Sequence, residues 1–373
     1  MIKVLIVDDS PTVREYLRHI ISTDAELEVA GTARDGDEAV SLVQKLCPDV
    51  VTMDIQMPRM NGYEATRKIM ETHPVPIVVI SSTVVPEQVT NTFRAIKAGA
   101  VAVLEKPKGP GHPESKRMAS KVIQIVKLMS EVKVVTRHVS ANKRMVRETK
   151  AIPDIPPKIK VGSGGRPAPD SVRKRAAVSR HRTGKIKMVA IGASTGGPPV
   201  IRTILSRLTE DFPAPILLVQ HIAPGFIQGM TEWLGREIAL PVQIPRHGDH
   251  VTAGRAYFAP DGYHMGITGK GEIVLSKGSP INGLRPSVSH FFQSVAEAYG
   301  ETAAGILLTG MGKDGAPELK MMREKGALTI AQNKESSVVH GMPGEAIKLD
   351  AATHIFSPEE IAGFLSGCIA KLK

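Results

Sequence analysis

Residues 2–10 read IKVLIVDDS, an apolar run that ends in two carboxylates and a hydroxyl. A run this short, with no polar alternation, suits a strand buried on both faces of a parallel sheet. Outward from it, Leu27–Ala30, Val50–Met53, Ile77–Ile80 and Val101–Leu104 read as further strands. Helical spacing lies between them at Thr12–Ile21, Asp37–Leu46, Tyr63–Glu71 and Glu87–Lys97. Strands alternating with helices over about 125 residues predict a doubly wound α/β sheet. Functional groups in such sheets gather beyond the carboxyl ends of the strands.

Those ends carry Asp8-Asp9, Asp54, Ser81-Ser82 and Lys106-Pro107. Three carboxylates at one sheet edge repel each other unless a hard cation lies among them. A lysine and a serine hydroxyl beside them suit phosphoryl oxygens. Asp8 and Asp9 could instead cap the helix that Pro11 opens, but capping leaves Asp54 and Lys106 unexplained. VDDS at 7–10, MDIQMPRMNG at 53–62 and EKP at 105–107 together resemble a response-regulator receiver domain. The resemblance implies Asp54 as phosphoacceptor. It implies Asp9, Asp54 and the main-chain carbonyl of Gln56 as Mg²⁺ ligands, with Asp8 acting through water, and Ser81 and Lys106 as phosphoryl contacts. Related methylesterase receivers often carry Glu at position 56; because only the main chain is implicated, the site is expected to survive the change.

A second domain begins at KMVAIGASTGGPP (187–199). Strand Met188–Ile191 breaks into a glycine-rich turn, and Pro198-Pro199 open a helix. The literal pattern G-x-S-x-G throws Ser194 up on a tight turn with backbone N–H groups nearby. Alone it is weak, since such turns also bind phosphate or merely turn. A serine nucleophile needs a base, and the base an orienting acid. His221 ends the apolar run ILLVQH (216–221) at the same expected sheet edge, whereas His247, His250, His264 and His290 lie in polar stretches or helix starts. Asp314 lies in the turn after the buried strand Ile306–Leu308 and before a Pro317–Glu324 helix, where it could be a mere N-cap; Asp261 in Pro260-Asp261-Gly262 competes with it. The order Ser, His, Asp differs from the Ser, Asp, His order of α/β-hydrolases, so a lipase-type fold is not expected.

AIGASTGG (190–197), VQHIAPGF (219–226), AYFAPDGYHM (256–265), RPSVSHFF (285–292), LLTGMGKDGA (307–316) and TIAQNKESSVVHGMP (329–343) closely resemble the catalytic domain of the chemotaxis protein-glutamate methylesterase family. That resemblance implies Ser194 as nucleophile, His221 as general base and Asp314 as orienting acid, with the Met311 backbone N–H and the Thr195 region binding the oxyanion. It implies a cytoplasmic enzyme acting on γ-glutamyl methyl esters, and on certain glutamines, of methyl-accepting chemoreceptors. A chemotaxis histidine kinase is the implied phosphodonor, and the unphosphorylated receiver is expected to pack over Ser194. No metal is expected in this domain, which lacks a spacing such as H-E-x-x-H. The fold class is therefore two doubly wound, mostly parallel-sheet α/β domains, a flavodoxin-like receiver and a Rossmann-like methylesterase.

Composition places the join. The chain has 373 residues and a net charge of +11. Residues 116–187 hold 20 Lys and Arg against four acids, a net +16 that leaves −5 for everything else. From Ala151 to Gly184 the chain is rich in proline, glycine and cations and cannot form a packed core. Before it, Met118, Val122, Ile125, Val126 and Met129 have helical spacing. The expected division is 1–125 receiver, 126–184 basic linker and 185–373 catalytic domain. A receiver with a nucleic-acid-binding output would draw on the linker, but the linker has no aromatic residue and no helix-turn-helix pattern, so no specific nucleic acid is expected. Electrostatic contact of the linker with receptors or a membrane surface remains an expectation. The same esterase serving a receptor array outside chemotaxis is a further alternative, and the complete Ser, His, Asp set argues against a catalytically dead scaffold. No run approaches a membrane span, the N-terminus lacks a signal-peptide layout, and two cysteines build no disulfide framework.

Overall fold

The computed structural model describes residues 1–81, 86–132, 134 and 186–370, with the side chains of 86–91 and 368–370 left aside. Ser82 and nearly all of the basic linker lie outside the described residues.

The first domain runs β1 (Ile2–Val7), α1 (Pro11–Ser22), β2 (Leu27–Ala33), α2 (Gly36–Leu46), β3 (Val50–Met53), α3 (Gly62–Thr72), β4 (Ile77–Ser81), α4 (Pro86–Ala98), β5 (Ala102–Glu105) and α5 (Ser115–Ser130). Its five strands are all parallel in the order β2-β1-β3-β4-β5. The uninterrupted apolar run of β1 is explained by its two buried faces. Val4 and Ile6 join one apolar cluster with Val78 and Ile80, while Leu5 and Val7 join another with Val51 and Met53. Helix α1 is capped by Ser10, whose hydroxyl accepts from the Val13 N–H at 3.4 Å. Asp8 in turn accepts from the Ser10 N–H at 3.0 Å. The two aspartates are thus not the cap. Helix α5 buries Val126 and Met129, so packed structure of this domain extends past residue 125.

The second domain runs β6 (Met188–Ala193), α6 (Gly197–Leu205), β7 (Ile216–Gln220), α7 (Phe226–Glu237), β8 (Val242–Gln243), β9 (Ala256–Phe258), β10 (His264–Ile267), β11 (Ile273–Ser276), α8 (Val288–Tyr299), β12 (Ala303–Leu307), α9 (Ala316–Glu324), β13 (Leu328–Gln332), α10 (Met342–Lys348), β14 (His354–Phe356) and α11 (Pro358–Ala370). Seven strands form a parallel sheet in the order β14-β13-β12-β6-β7-β9-β8, and β10–β11 form a separate antiparallel ribbon. From β6 the chain steps to β7 on one side, and β12 later fills the other side. That reversal makes the carboxyl end of β6 a topological switch point, where a crevice opens between neighbouring loops.

The two sheets meet through α4 and α7. Phe93 of α4 is fully buried and stacks on Trp233 of α7 with ring centroids 5.5 Å apart. Lys97 pairs with Glu237 at 2.7 Å, and Arg202 approaches the same carboxylate at 3.6 Å. A second contact involves the stretch 338–339: Val339 is 5% exposed and belongs to the apolar cluster that includes Leu104 and Val122 of the first domain, with Val338 and Met311 packed at its border.

Candidate active site

In the first domain the four strand-end groups converge. One carboxylate oxygen from each of Asp8, Asp9 and Asp54 lies within 4.8 Å of the others. Asp8 and Asp54 are buried, and Asp9 is exposed. Lys106 Nζ stands 2.8 Å from Oδ2 of both Asp8 and Asp54. Burial and the neighbouring Asp8 charge push the Asp54 carboxyl up to about 6 against the pull of Lys106. One lysine thus leaves the trio electrostatically under-compensated, and the buried Asp8 Oδ2 is off any hydrogen-bond line. An all-oxygen donor set of this kind fits a small hard cation such as Mg²⁺. Ser81, 1% exposed, ends β4, and its carbonyl accepts from the Lys106 N–H at 3.0 Å. Gln56 lies two residues after Asp54 and is exposed. Gly62 is required by close approach: a Cβ there would stand 1.9 Å from the Asp54 carbonyl oxygen.

In the second domain, Ser194, His221 and Asp314 each follow a sheet strand and precede a helix. Each turn ends in a glycine at positive φ (Gly196 78°, Gly225 86°, Gly315 85°), where a side chain would be strained. The His221 N–H donates to the Ala193 carbonyl at 2.9 Å, which fixes His221 beside Ser194. His221 Nε2 lies 2.9 Å from Asp314 Oδ2, within ion-pair distance although the carboxylate is off the ring's N–H direction. Asp314 is not the cap of its own helix α9. It reaches across to the start of α8, accepting from Ser287 Oγ at 2.9 Å, the Val288 N–H at 2.6 Å and the Ser289 N–H at 3.2 Å. Burial alone would raise its pKa; His221 and these donors overcome burial and pull it down to about 2. Asp314 is therefore a fixed anion.

The competing acid Asp261 instead accepts from the Gly225 N–H at 2.7 Å and ties down the loop that follows His221. Among the other histidines, His264 Nε2 contacts the Ser279 carbonyl at 3.0 Å, His247 accepts from the Leu275 N–H at 3.1 Å, and His250 lies 3.4 Å from Glu272. His290 lies on α8, its ring 4.9 Å from that of His264.

Ser194 and Thr195 are tied to one neighbour, Thr309, while Met311 packs at the border of the first domain's apolar cluster. The Ser194 N–H donates to the Thr309 carbonyl at 3.0 Å, and Thr309 Oγ1 donates to the Thr195 carbonyl at 2.9 Å. Thr309 was not singled out in the sequence, nor were two buried glutamines. Gln220 Nε2 donates to the carbonyls of Ser194 and His221, both at 2.8 Å. Gln332 Oε1 accepts from the Thr309 N–H at 2.8 Å. Their signal in the sequence is a single amide closing an apolar strand, ILLVQ and LTIAQ.

A carboxylate trio with a lysine lies at one parallel-sheet edge, and a serine turn with a histidine–aspartate pair lies at the other, in a chain of two parallel-sheet α/β domains. The family model for the response regulator receiver domain matches residues 4–113, and that for CheB methylesterase matches residues 189–365. The chain is 53% identical, over 98% of both chains, to protein-glutamate methylesterase/protein-glutamine glutaminase 4 of Geobacter metallireducens. It is 48% identical to the corresponding protein of Nitrosospira multiformis, over 100% of this chain and 98% of that one. Among solved structures, the CheB methylesterase catalytic domain of Thermotoga maritima is 36% identical, covering 48% of this chain and 96% of that chain with a TM-score of 0.47. The chain belongs to the protein-glutamate methylesterase/protein-glutamine glutaminase family.

Proposed function

We propose that this protein hydrolyses glutamate γ-methyl esters on chemoreceptors, and deamidates receptor glutamines, under control of phosphorylation at Asp54. The observation that carries the reading is the His221–Asp314 pair in the loops after the two strands that flank β6 and Ser194, in a chain whose full-length relatives bear that name. Because Nε2 of His221 faces Asp314, Nδ1 is the nitrogen left to act as base. It takes the Ser194 proton as Oγ attacks the ester carbonyl. The amides of Met311 and Thr195 receive the oxyanion. His221 returns the proton to the departing methanol, or to ammonia when the substrate is a glutamine. Water then cleaves the glutamyl-enzyme with His221 again as base.

In the receiver, Asp8, Asp9, Asp54 and the Gln56 carbonyl are the residues to hold Mg²⁺, which would supply positive charge to phosphoryl oxygens. Ser81 and Lys106 contact the transferred group, and a histidine kinase supplies it. The docked receiver hinders access to Ser194, and the added charge on Asp54 shifts the contacts that Phe93, Lys97 and Leu104 anchor. Among the described residues no helix is long and apolar enough to cross a membrane. A cytoplasmic enzyme whose basic linker draws it toward acidic receptor helices or anionic membrane fits that reading.

The test is methanol release from methylated receptor membranes. Wild-type protein releases methanol and labels with a serine-directed probe, and Ser194→Ala does neither. Turnover retained in Ser194→Ala would contradict the assignment of the nucleophile.

A further inference from the structure

The contact at Val339 continues from the receiver's apolar cluster to Thr309. Residues 333–341, NKESSVVHG, form a strap between the receiver and the Ser194 turn. The strap is internally braced: Asn333 Oδ1 accepts from the Ser336 N–H at 3.2 Å, and Ser337 Oγ donates to the Asn333 carbonyl at 2.7 Å. Its outer side is the Val339 side chain in the receiver's apolar cluster. Its inner side is bonded to the catalytic turns. The Val339 N–H donates to Thr309 Oγ1 at 2.9 Å, and the Val339 carbonyl accepts from the Gly310 N–H at 2.9 Å.

Thr309 is fully buried and has one hydroxyl proton. With Oγ1 accepting from Val339, that proton goes to the nearer carbonyl, that of Thr195 at 2.9 Å rather than that of Val339 at 3.2 Å. The hydroxyl is therefore a two-way link from strap to serine turn. Packing is as tight: a Cβ on Gly196 would fall 2.5 Å from Val338 Cβ, and one on Gly310 would fall 2.7 Å from Ser194 Cβ. Met311, whose amide is assigned to the oxyanion, borders the same receiver cluster.

We propose that Thr309 is a positioning residue through which receiver docking, carried by the Val338–Val339 strap, sets the geometry of the oxyanion-binding amides at Thr195 and Met311. This rests on the esterase reading above and adds to it. Occlusion alone changes access, which a bulky receptor feels and a small ester does not. A strap that moves donor amides changes stabilisation of the transition state, which every ester feels. Displacements of a fraction of an ångström suffice, because interiors are close-packed.

The experiment uses the full chain and a short soluble peptide bearing one glutamate γ-methyl ester, with methylated receptor membranes in parallel. Methanol release gives kcat and KM, with and without Mg²⁺ and a small acyl phosphate. In wild type, the phosphodonor raises kcat on the peptide several-fold with KM little changed. Thr309→Val puts a methyl in place of the hydroxyl, breaks its bonds to both Thr195 and Val339, and lowers peptide kcat about tenfold. It also blunts the response to the phosphodonor, and Thr309→Ser restores both. Val339→Ala keeps the backbone links and trims the receiver contact, so its unphosphorylated peptide kcat moves toward the phosphorylated wild-type value. Stimulation confined to receptor membranes, or an unchanged peptide kcat in Thr309→Val, overturns the relay and leaves the esterase standing. No methanol from either substrate in wild type overturns both.

Discussion

Two parallel sheets in this chain each present a buried aspartate beyond their carboxyl ends, and the two are tuned in opposite directions. Asp54 is pushed up to about 6 and Asp314 is pulled down to about 2. Both are nearly inaccessible to water, so burial alone would raise both. The difference lies in what faces them. Asp54 shares its edge with Asp8 and Asp9 and has one lysine between two carboxylates. Asp314 faces a histidine and the N-terminus of α8, which offers three donors. One edge is left short of positive charge and is therefore suited to recruit a cation. The other has its charge satisfied by the protein, which keeps an anion fixed beside His221.

The sharpest way to break the contrast is at its satisfied end. Asp314→Asn is expected to lower kcat by about 10³–10⁴-fold, because the amide cannot stabilise a positive His221. A thermal melt of the same variant separates that loss from weakened capping of α8. Next in size, Gly62→Ala forces a Cβ against the Asp54 carbonyl. It should destabilise the receiver by about 2–4 kcal/mol, measured by denaturant unfolding, with the phosphodonor response lost alongside. An unperturbed variant would show that the β3–α3 turn has room for a methyl group.

The pH dependence sharpens the contrast further. Asp54 has a folded pKa above its ordinary 3.8, so protonation stabilises the metal-free fold. That contribution is full below about pH 4 and is lost as pH rises through about 6. Asp54→Asn should therefore raise the metal-free Tm at pH 8, by on the order of 2 kcal/mol of stability, with the gain fading as pH falls from 6 to 4. Asp314 has the opposite sign: its contribution is full above about pH 4 and is lost as pH falls toward 2. The smallest expected effect is Asp261→Asn. It weakens one bond to the Gly225 N–H, and should cost about 1 kcal/mol or less with a modest fall in kcat. A fall as large as that of Asp314→Asn would mean the acid had been misassigned.

The first sheet, and β6, β7 and β12 of the second, were legible because parallel strands buried on two faces write themselves as short apolar runs, whereas β8, β9, β13 and β14 were not read as strands. Asp8, Asp54, Lys106, Ser194 and His221 directly follow such runs, and Asp314 lies in the loop between β12 and α9. What escaped was fixed by tertiary geometry. The periods of 2 and 3.6 do not reveal that Asp314 caps a helix begun at Val288. Nor do they reveal that Thr309 bonds a strap thirty residues away. The antiparallel ribbon β10–β11 was missed because its strands are four residues each, too short for periodicity to register. The Phe93–Trp233 stack is likewise invisible, since each aromatic reads as ordinary helix core.

Under the proposed function, phosphorylation at the under-compensated edge raises turnover at the satisfied one. The direct measurement is methanol release from methylated receptor by the full chain, with Mg²⁺ and a small acyl phosphate, for wild type and Asp54→Asn side by side. The account predicts a rise in wild type and none in Asp54→Asn. Equal rates with and without phosphodonor in wild type, or equal stimulation of both proteins, would contradict it.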